Sequence, residues 1–312
     1  LITGSDYNTI SLSTMGGGSN YGIYTTASDS NTVTQSYMWG GTDGVVLNTG
    51  SDYTAISLST MIGGSSYGLL TIAADSNTAT QSYMWGGSAG ALLSTDSDYT
   101  AISLSTMIGS ALYGLYVNGA DSNTVTQSYM QGATRGVLVN TAADYNTISL
   151  STMIGSSQYG FYTIAADSNT VTQSYMWGGL DGVVLNTGSD YTAISLSTMI
   201  GSTLYGFYAI AGDSHVVTQS YMQGATRGVL LDAGADYNAI SLSTMIGVSE
   251  YGLLVRDGST NTVTQSYMWG GAIGAYESTS SSYTRISLST MIGNTTNGLY
   301  MLGADSGTVT QS

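Results

Sequence analysis

Hydrophobic and polar positions recur along this chain every 23 residues, and two kinds of unit alternate within a longer period of 46. Residues 52–70, DYTAISLSTMIGGSSYGLL, represent the units that we call A coils, and residues 29–47, DSNTVTQSYMWGGTDGVVL, represent the B coils. Positions are counted from 0 at the first Asp of each coil. Each coil has three short runs rich in β-branched and aromatic residues, with Gly, Ser, Asn and Asp between them, which predicts three short strands and no helix.

Three apolar positions of the coil predict a core with one column of side chains on each face. Position 9 is Met in all 13 coils that contain it, from Met15 to Met291. Position 4 is filled by Ile, Val or Ala, as in Ile56. Position 17 gives the third column: Ile23, Val46, Leu69, Leu92, Leu115, Leu138 and Phe161.

The exact spacing of these units favours a solenoid, because each unit must occupy the same environment as its neighbours. The succession N-T-I-S-x-S-x-M, Y-G-I-Y and D-S-N-T-V resembles the repeats of the NosD-like right-handed parallel β-helix proteins over the whole chain. The resemblance implies an all-β, single-stranded parallel β-helix of about 13.5 coils, each rising about 4.8 Å. We expect one domain over residues 1–312, an uncapped segment of a longer repeat array.

Charge excludes one large class of functions. The 312 residues carry a net charge of −15, with four basic residues that are all Arg. Four dispersed arginines cannot form a phosphate-binding surface, so nucleic acid is excluded as a partner. Polar residues interrupt every apolar stretch well before the roughly 18 residues that a membrane-spanning helix requires.

Two invariant polar columns predict structural roles. Position 7 is Ser in all 14 coils, from Ser13 to Ser312, and we expect a ladder of hydroxyls that satisfies backbone groups at a tight bend. Position 11 is Gly in all 13 coils, from Gly17 to Gly293, which predicts a positive φ or a close approach of the backbone.

Position 0 is Asp in 12 of 14 coils and has two interpretations. As turn residues, these aspartates accept hydrogen bonds from backbone N–H groups. As stacked carboxylates, they repel each other, and a divalent cation such as calcium relieves that repulsion. Four of them are named as candidate calcium ligands: Asp52, Asp75, Asp98 and Asp121.

An apolar stripe flanks the Met column. If Met faces inward, positions 8 and 10 face solvent, and exposed apolar stripes mark interaction surfaces. Stacking of sugars, lateral self-association and cover by another segment are alternative functions, and partial burial at the corner is the structural alternative. The candidate surface consists of Tyr37, Trp39, Tyr83, Trp85, Tyr129, Tyr175, Trp177 and Trp269.

The first run of each coil offers an ice-binding alternative. Thr-x-Thr pairs such as Thr32 and Thr34 form an array that resembles the ice-binding face of some antifreeze solenoids. Ala55 and its equivalents in other A coils interrupt the array, and Arg285 protrudes from it.

Catalysis would need carboxylates away from the repeated columns. The densest group of such charges is Glu250, Arg256 and Asp257, about one coil from Arg227 and Asp232. This is where a polysaccharide lyase or hydrolase site would lie. The only histidine, His215, replaces Asn at position 2 and is not expected to be catalytic.

The sequence therefore favours a structural or adhesive β-solenoid, a stalk or filament of a secreted or cell-surface bacterial protein. It has no catalytic residues and no cofactor in this interpretation, and its partners are further copies, bound end to end or laterally, or glycans. The alternatives are a carbohydrate-binding or carbohydrate-active β-helix that uses the Trp/Tyr stripe, and ice binding through the Thr-x-Thr array.

Overall fold

The computed structural model describes residues 2–278 and 280–312, which contain strands and turns but no helix, and hence no helix that could cross a membrane. Two compact units are present, the first ending at Ser156 and the second beginning at Ser157. In each unit, every coil contributes one strand to each of three parallel sheets. The predicted β-solenoid with 23 residues per coil is confirmed, whereas its hand and the single domain stay predictions.

In the unit that ends at Ser156, each sheet has seven described strands. The first sheet contains Thr9–Ser11, Thr32–Thr34, Ala55–Ser57, Thr78–Thr80, Ala101–Ser103, Thr124–Thr126 and Thr147–Ser149. The second contains Thr14–Gly16, Tyr37–Gly40, Thr60–Gly63, Tyr83–Gly86, Thr106–Gly109, Tyr129–Gly132 and Thr152–Gly155. The third contains Ile2–Thr3, Tyr21–Thr26, Asp43–Asn48, Tyr67–Ile72, Ala89–Ser94, Tyr113–Asn118 and Arg135–Asn140.

The unit that begins at Ser157 repeats this arrangement. Its first sheet contains Thr170–Thr172, Ala193–Ser195, Val216–Thr218, Ala239–Ser241, Thr262–Thr264, Arg285–Ser287 and Thr308–Thr310. Its second sheet contains Tyr175–Gly178, Thr198–Gly201, Tyr221–Gly224, Thr244–Gly247, Tyr267–Gly270 and Thr290–Gly293. Its third sheet contains Tyr159–Ile164, Asp181–Leu185, Tyr205–Ile210, Arg227–Asp232, Tyr251–Arg256, Ile273–Glu277 and Leu299–Met301.

The first two sheets stack equivalent residues directly on each other. Met61 pairs with Met38 and Met84, and Ile56 pairs with Val33 on the first sheet. All five are buried, and the three methionines have no exposed surface. Burial of each such side chain stabilises the fold by about 1.5–3 kcal/mol. The predicted Met and Ile/Val columns are therefore confirmed as core.

The members of the predicted third column are buried, but they do not form one ladder. Ile23 pairs with Val45, which pairs with Leu69, whereas Val46 pairs with Tyr24. Val46 therefore lies on the opposite side of its strand from Ile23 and Leu69, and the same holds for Leu92 and Leu138, which pair with Leu70 and Tyr116.

Turn length is the physical reason for this difference. Three residues separate the second and third strands of an A coil, between Gly63 and Tyr67, but only two do so in a B coil, between Gly40 and Asp43. The next turn compensates, with five residues between Ile72 and Thr78 but six between Asn48 and Ala55, so the coil length stays constant. A fixed count from the first Asp consequently slips by one residue along this strand.

The predicted Ser and Gly columns have the structural roles assigned to them. The hydroxyl of Ser59 accepts the N–H of Ser36 at 3.1 Å and donates to the carbonyl of Ser57 at 2.6 Å. A Cβ on Gly63 would lie 1.9 Å from the carbonyl oxygen of Tyr67. Close backbone approach, rather than a positive φ, therefore requires glycine at this position.

Candidate functional site

The second sheet carries the predicted aromatic row on its outer side. Met38 fills the core, while Tyr37 and Trp39 on either side of it are 44% and 39% exposed. Strand alternation explains this arrangement, because successive side chains point to opposite faces of a sheet. The predicted facing of this strand is therefore confirmed.

The row has gaps that leave the rings unequally exposed. Trp39 lies beside Gly16, which has no side chain to cover it. Trp85 lies between Ile62 and Ile108 and is half-buried. Trp177 and Trp269 of the other unit are half-buried as well, and the remaining members of the predicted surface are exposed: Tyr83, Tyr129 and Tyr175. Their function as a ligand surface stays a prediction.

A second apolar feature, which the sequence analysis missed, borders this row. Position 6 lies in the turn between the first and second strands, where Leu58 adopts a φ of 49° and is 52% exposed. B coils place Gln35 or Gln81 at the same position with nearly the same φ. The sequence did contain a sign that position 6 is exposed. A core position is apolar in every coil, whereas this one alternates Leu with Gln.

The row and this turn border an open groove of about 500 Å³ in the unit that ends at Ser156. Leu12, Gln35 and Leu58 form one wall, and Tyr37 forms the other. Hydroxyl-bearing residues complete the lining: Ser13, Thr14, Ser36 and Thr60. Five of the eight lining residues are polar, which suits a polar ligand such as a sugar better than an apolar one.

The Asp column acts in backbone hydrogen bonding. The Oδ1 atom of Asp52 accepts the N–H of Asp75 at 2.7 Å, and Asp75 accepts that of Asp98 at 2.9 Å. Asp98 in turn accepts the N–H of Asp121 at 2.6 Å. The described residues contain no group of three His, Cys, Asp or Glu side chains that could hold a metal ion. Calcium binding stays a prediction.

His215 takes over the hydrogen-bonding role of the Asn that it replaces. Its Nδ1 accepts the N–H of Thr192 at 3.2 Å, as Asn77 does from Thr54 in another coil. Burial lowers the pKa of His215 to about 3, so the imidazole is neutral. It is therefore a ladder residue.

The predicted charged cluster forms two ion pairs on the third sheet of the unit that begins at Ser157. Nε of Arg227 donates to Glu250 at 2.8 Å, and the guanidinium lies between the rings of Tyr205 and Tyr251. Two parallel hydrogen bonds of 2.7 and 2.5 Å join Arg256 to Asp232. Asp257 takes no part in either ion pair.

These pairs make Asp232 a poor proton donor. Burial by itself raises the pKa of this carboxyl, but the hydrogen bonds and charge of Arg256, together with hydrogen bonds from Tyr208 and the backbone of Ala233, outweigh it and hold the pKa below its ordinary value. Glu250 is paired with Arg227. An acid for glycoside cleavage needs a raised pKa, so Asp232 is unsuited to that role.

Three buried carboxyls with raised pKa values lie elsewhere. Burial raises the pKa of Asp181 to about 6 and that of Asp43 in the same direction, although each accepts a backbone N–H. Burial raises the pKa of Glu277 to about 7, and neither of its oxygens has a hydrogen-bond partner among the described residues. None of the three carboxyls is exposed, so they are not arranged for chemistry on a bound polymer.

The Thr-x-Thr array is not a flat surface. Tyr53 and Leu58 occupy the turns on either side of the strand Ala55–Ser57, and they are 64% and 52% exposed. Projecting side chains on both borders would hold a flat crystal surface away from the hydroxyls between them. Ice binding stays a prediction that this geometry does not favour.

Solved structures share the fold at low sequence identity. A Dettilon tailspike protein has a TM-score of 0.53 at 11% identity over 87% of this chain and 62% of its own. The A-module of the mannuronan C-5 epimerase AlgE6 from Azotobacter vinelandii has a TM-score of 0.52 at 10% identity over 97% of this chain and 91% of its own.

Tailspike protein 3 of bacteriophage CBA120 has a TM-score of 0.53 at 11% identity over 95% of this chain and 51% of its own. The chain thus spans less than two thirds of the length of both tailspikes. No curated protein matches the sequence significantly. At these identities the similarities establish the parallel β-helix fold alone.

One protein family matches the sequence directly. Its description is NosD, periplasmic copper-binding protein, and its family model matches residues 99–242. The predicted resemblance to NosD-like β-helix repeats is therefore confirmed over residues 99–242.

Proposed function

We propose that this chain is an adhesive β-solenoid that binds glycans through the aromatic row of its second sheet. One observation carries the proposal: rings such as Tyr37 and Trp39 lie exposed on one side of a sheet whose other side is filled by methionine. A protein gains nothing from exposing a row of large aromatic side chains unless a partner covers them.

The chemistry of the rings fits sugars. An aromatic face attracts the C–H face of a pyranose, while the phenol of a tyrosine and the indole N–H form hydrogen bonds with hydroxyls. Neighbouring Thr60 and Gln35 supply further donors and acceptors along the groove. The epimerase with this fold acts on mannuronan, a polysaccharide, which supports a glycan ligand.

A purely structural stalk is the second candidate. The side-chain ladders favour it, since Ser59 and Asp75 each link their own coil to the preceding one through a hydrogen bond between a side chain and a backbone N–H. Within each unit such ladders also fix the spacing of the rings, so that a stalk and an adhesive surface are compatible roles.

We place the chain outside the cytoplasm, in keeping with the periplasmic description of the matching family. Self-association, end to end or laterally, belongs to the same proposal. We propose binding without catalysis, because arginines hold both carboxylates of the charged cluster.

Glycan-array binding tests the proposal with variants matched in chemistry. Replacing Tyr37, Tyr83 and Tyr129 by Ala is expected to abolish binding. The control replaces three equally aromatic turn residues outside the row: Tyr53, Tyr99 and Tyr145. Equal binding by both variants would contradict the proposal. A wild-type chain that binds no glycan would leave the structural stalk as the favoured function.

A further inference from the structure

Beyond the groove, which is lined by residues between Leu12 and Thr60, the positions beside the aromatic row repeat their chemistry every second coil. Position 6 alternates Leu58 with Gln81, and position 8 alternates Thr60 with Tyr83. The buried side of the same strands does not alternate, because Met61 and Met84 occupy successive coils. Packing of the Met column therefore does not account for the two-coil period of the outer surface.

The period has a definite length. Neighbouring strands of a sheet are about 4.8 Å apart, so equivalent groups of successive A coils lie about 9.6 Å apart within a unit. This length is close to that of two sugar rings in an extended chain. A linear polysaccharide running along the stack of strands would meet the same groups once per disaccharide.

Each stretch of two coils, which would bind one disaccharide, contains one side chain suited to hydrogen bonding with a polar group of the ligand. Gln35 and Gln81 are exposed in the turn, and their amides form no hydrogen bond within the described residues. In each of these coils a tyrosine, Tyr37 or Tyr83, follows two residues later in the sequence, and Gln35 and Tyr37 both line the groove. An amide both donates and accepts, so each Gln can bind a hydroxyl or acetamido group of a ring that stacks on the tyrosine.

The charge of the chain restricts the class of ligand further. No charged residue lines the groove, and the chain as a whole carries a charge of −15. The surrounding field is therefore negative and repels a polyanion. A polymer such as mannuronan, the substrate of the epimerase with the same fold, is electrostatically unsuited to this groove.

We infer that the groove binds a neutral linear polysaccharide that runs along the solenoid, with one disaccharide for every two coils. The glutamines of the B coils form hydrogen bonds with one polar group in each disaccharide. This inference rests on the proposed glycan-binding function and specifies its ligand. It also assigns the groove wall formed by the Leu/Gln turns to binding.

The repeat itself supplies variants that the turn tolerates. Leu58 and Gln81 adopt φ values of 49° in equivalent turns, so replacement of Gln by Leu keeps a side chain already found there. The test variant carries Gln35→Leu, Gln81→Leu and Gln127→Leu. The control variant carries Gln158→Leu, which removes an amide outside the groove.

Calorimetric titration of the full chain uses cello- and chito-oligosaccharides from the disaccharide to the octasaccharide. Affinity for at least one of the two series is expected to rise in steps of two sugars, by about fivefold for each added disaccharide. The test variant is expected to lose at least about fivefold in affinity and the control variant none. Polymannuronate is expected not to bind.

The outcomes separate the two proposals. Binding that depends on the tyrosines but rises evenly with each sugar, or that survives the three Gln→Leu changes, overturns the inference and leaves the proposed function intact. Tighter binding of polymannuronate than of the neutral series overturns the neutral ligand. Absence of any oligosaccharide binding overturns both proposals.

Discussion

Asp232 holds the guanidinium of Arg256 through two parallel hydrogen bonds, one from Nε at 2.7 Å and one from the terminal nitrogen at 2.5 Å. The carboxylate is buried and the arginine half-exposed, so the pair joins adjacent strands at the edge of the solvent. Tyr208 adds a third hydrogen bond from the neighbouring coil. The charged cluster is where the sequence would place a catalytic site, and in the structure its hydrogen bonds link three coils.

Replacing Arg256 by Ala is expected to lower the free energy of unfolding by about 1–3 kcal/mol at neutral pH, because Asp232 stays buried without its cation. The pKa of Asp232 lies below its ordinary value in the native chain. Its stabilising contribution is therefore present above the unfolded pKa and is lost as the pH falls through the folded pKa. Denaturant unfolding across the acidic range measures the difference.

The control for this prediction is Arg285→Ala, which removes an exposed arginine outside either ion pair. We expect a change within about 0.5 kcal/mol. Equal losses for the two variants would mean that the ion pair contributes nothing specific.

Gly63→Ala is expected to lower the free energy of unfolding by more than about 2 kcal/mol, because the new Cβ would collide with the carbonyl of Tyr67. Gly16→Ala is the matched control, since its Cβ would lie 3.7 Å from Trp39, an ordinary contact. Thermal unfolding of the two variants distinguishes a steric requirement from a general preference for glycine in these strands.

Most of the fold could be predicted from the sequence because the first two sheets obey a strict period. Met38, Met61 and Met84 stack at one position of the count, so periodicity alone identifies them as core. The third sheet could not be predicted in this way. Its register depends on turns of unequal length, and a fixed count cannot distinguish Val45 from Val46.

The candidate site could be predicted only in part. Alternation in the strand places Tyr37 and Trp39 outside, but it says nothing about Leu58, which is an exposed turn residue. Its φ of 49° follows from the sharp bend between two sheets. A positive φ is uncommon for leucine, so the sequence does not indicate this conformation. Only the structure reveals the second wall of the groove.

Glu277 is expected to make stability fall as the pH rises. Burial without a partner raises its pKa to about 7, so the folded chain holds a proton that the unfolded chain releases from about pH 4.5 upward. The protonated side chain therefore does not lower stability below that pH. Up to about 3 kcal/mol of the free energy of unfolding is lost by about pH 7. Glu277→Gln should remove this part of the dependence and leave the part due to Asp43 and Asp181, as measured by urea unfolding at several pH values.

Glu250→Gln provides the comparison, because Glu250 is half-exposed and paired with Arg227. Its removal is expected to leave the fall in stability toward neutral pH unchanged. A native chain whose stability is constant between about pH 5 and pH 8 would contradict the assignment to Glu277.

The unequal turns predict which deletions the fold accepts. Removing Ser65 shortens the turn between Gly63 and Tyr67 to two residues, the length that B coils already use between Gly40 and Asp43. The third strand keeps its register, and we expect a loss of less than about 1 kcal/mol. Removing Thr71 from the strand itself moves the residues after it to the opposite face. That deletion is expected to cost more than about 3 kcal/mol, and a larger loss of unfolding free energy for the Ser65 deletion would refute the turn-length explanation.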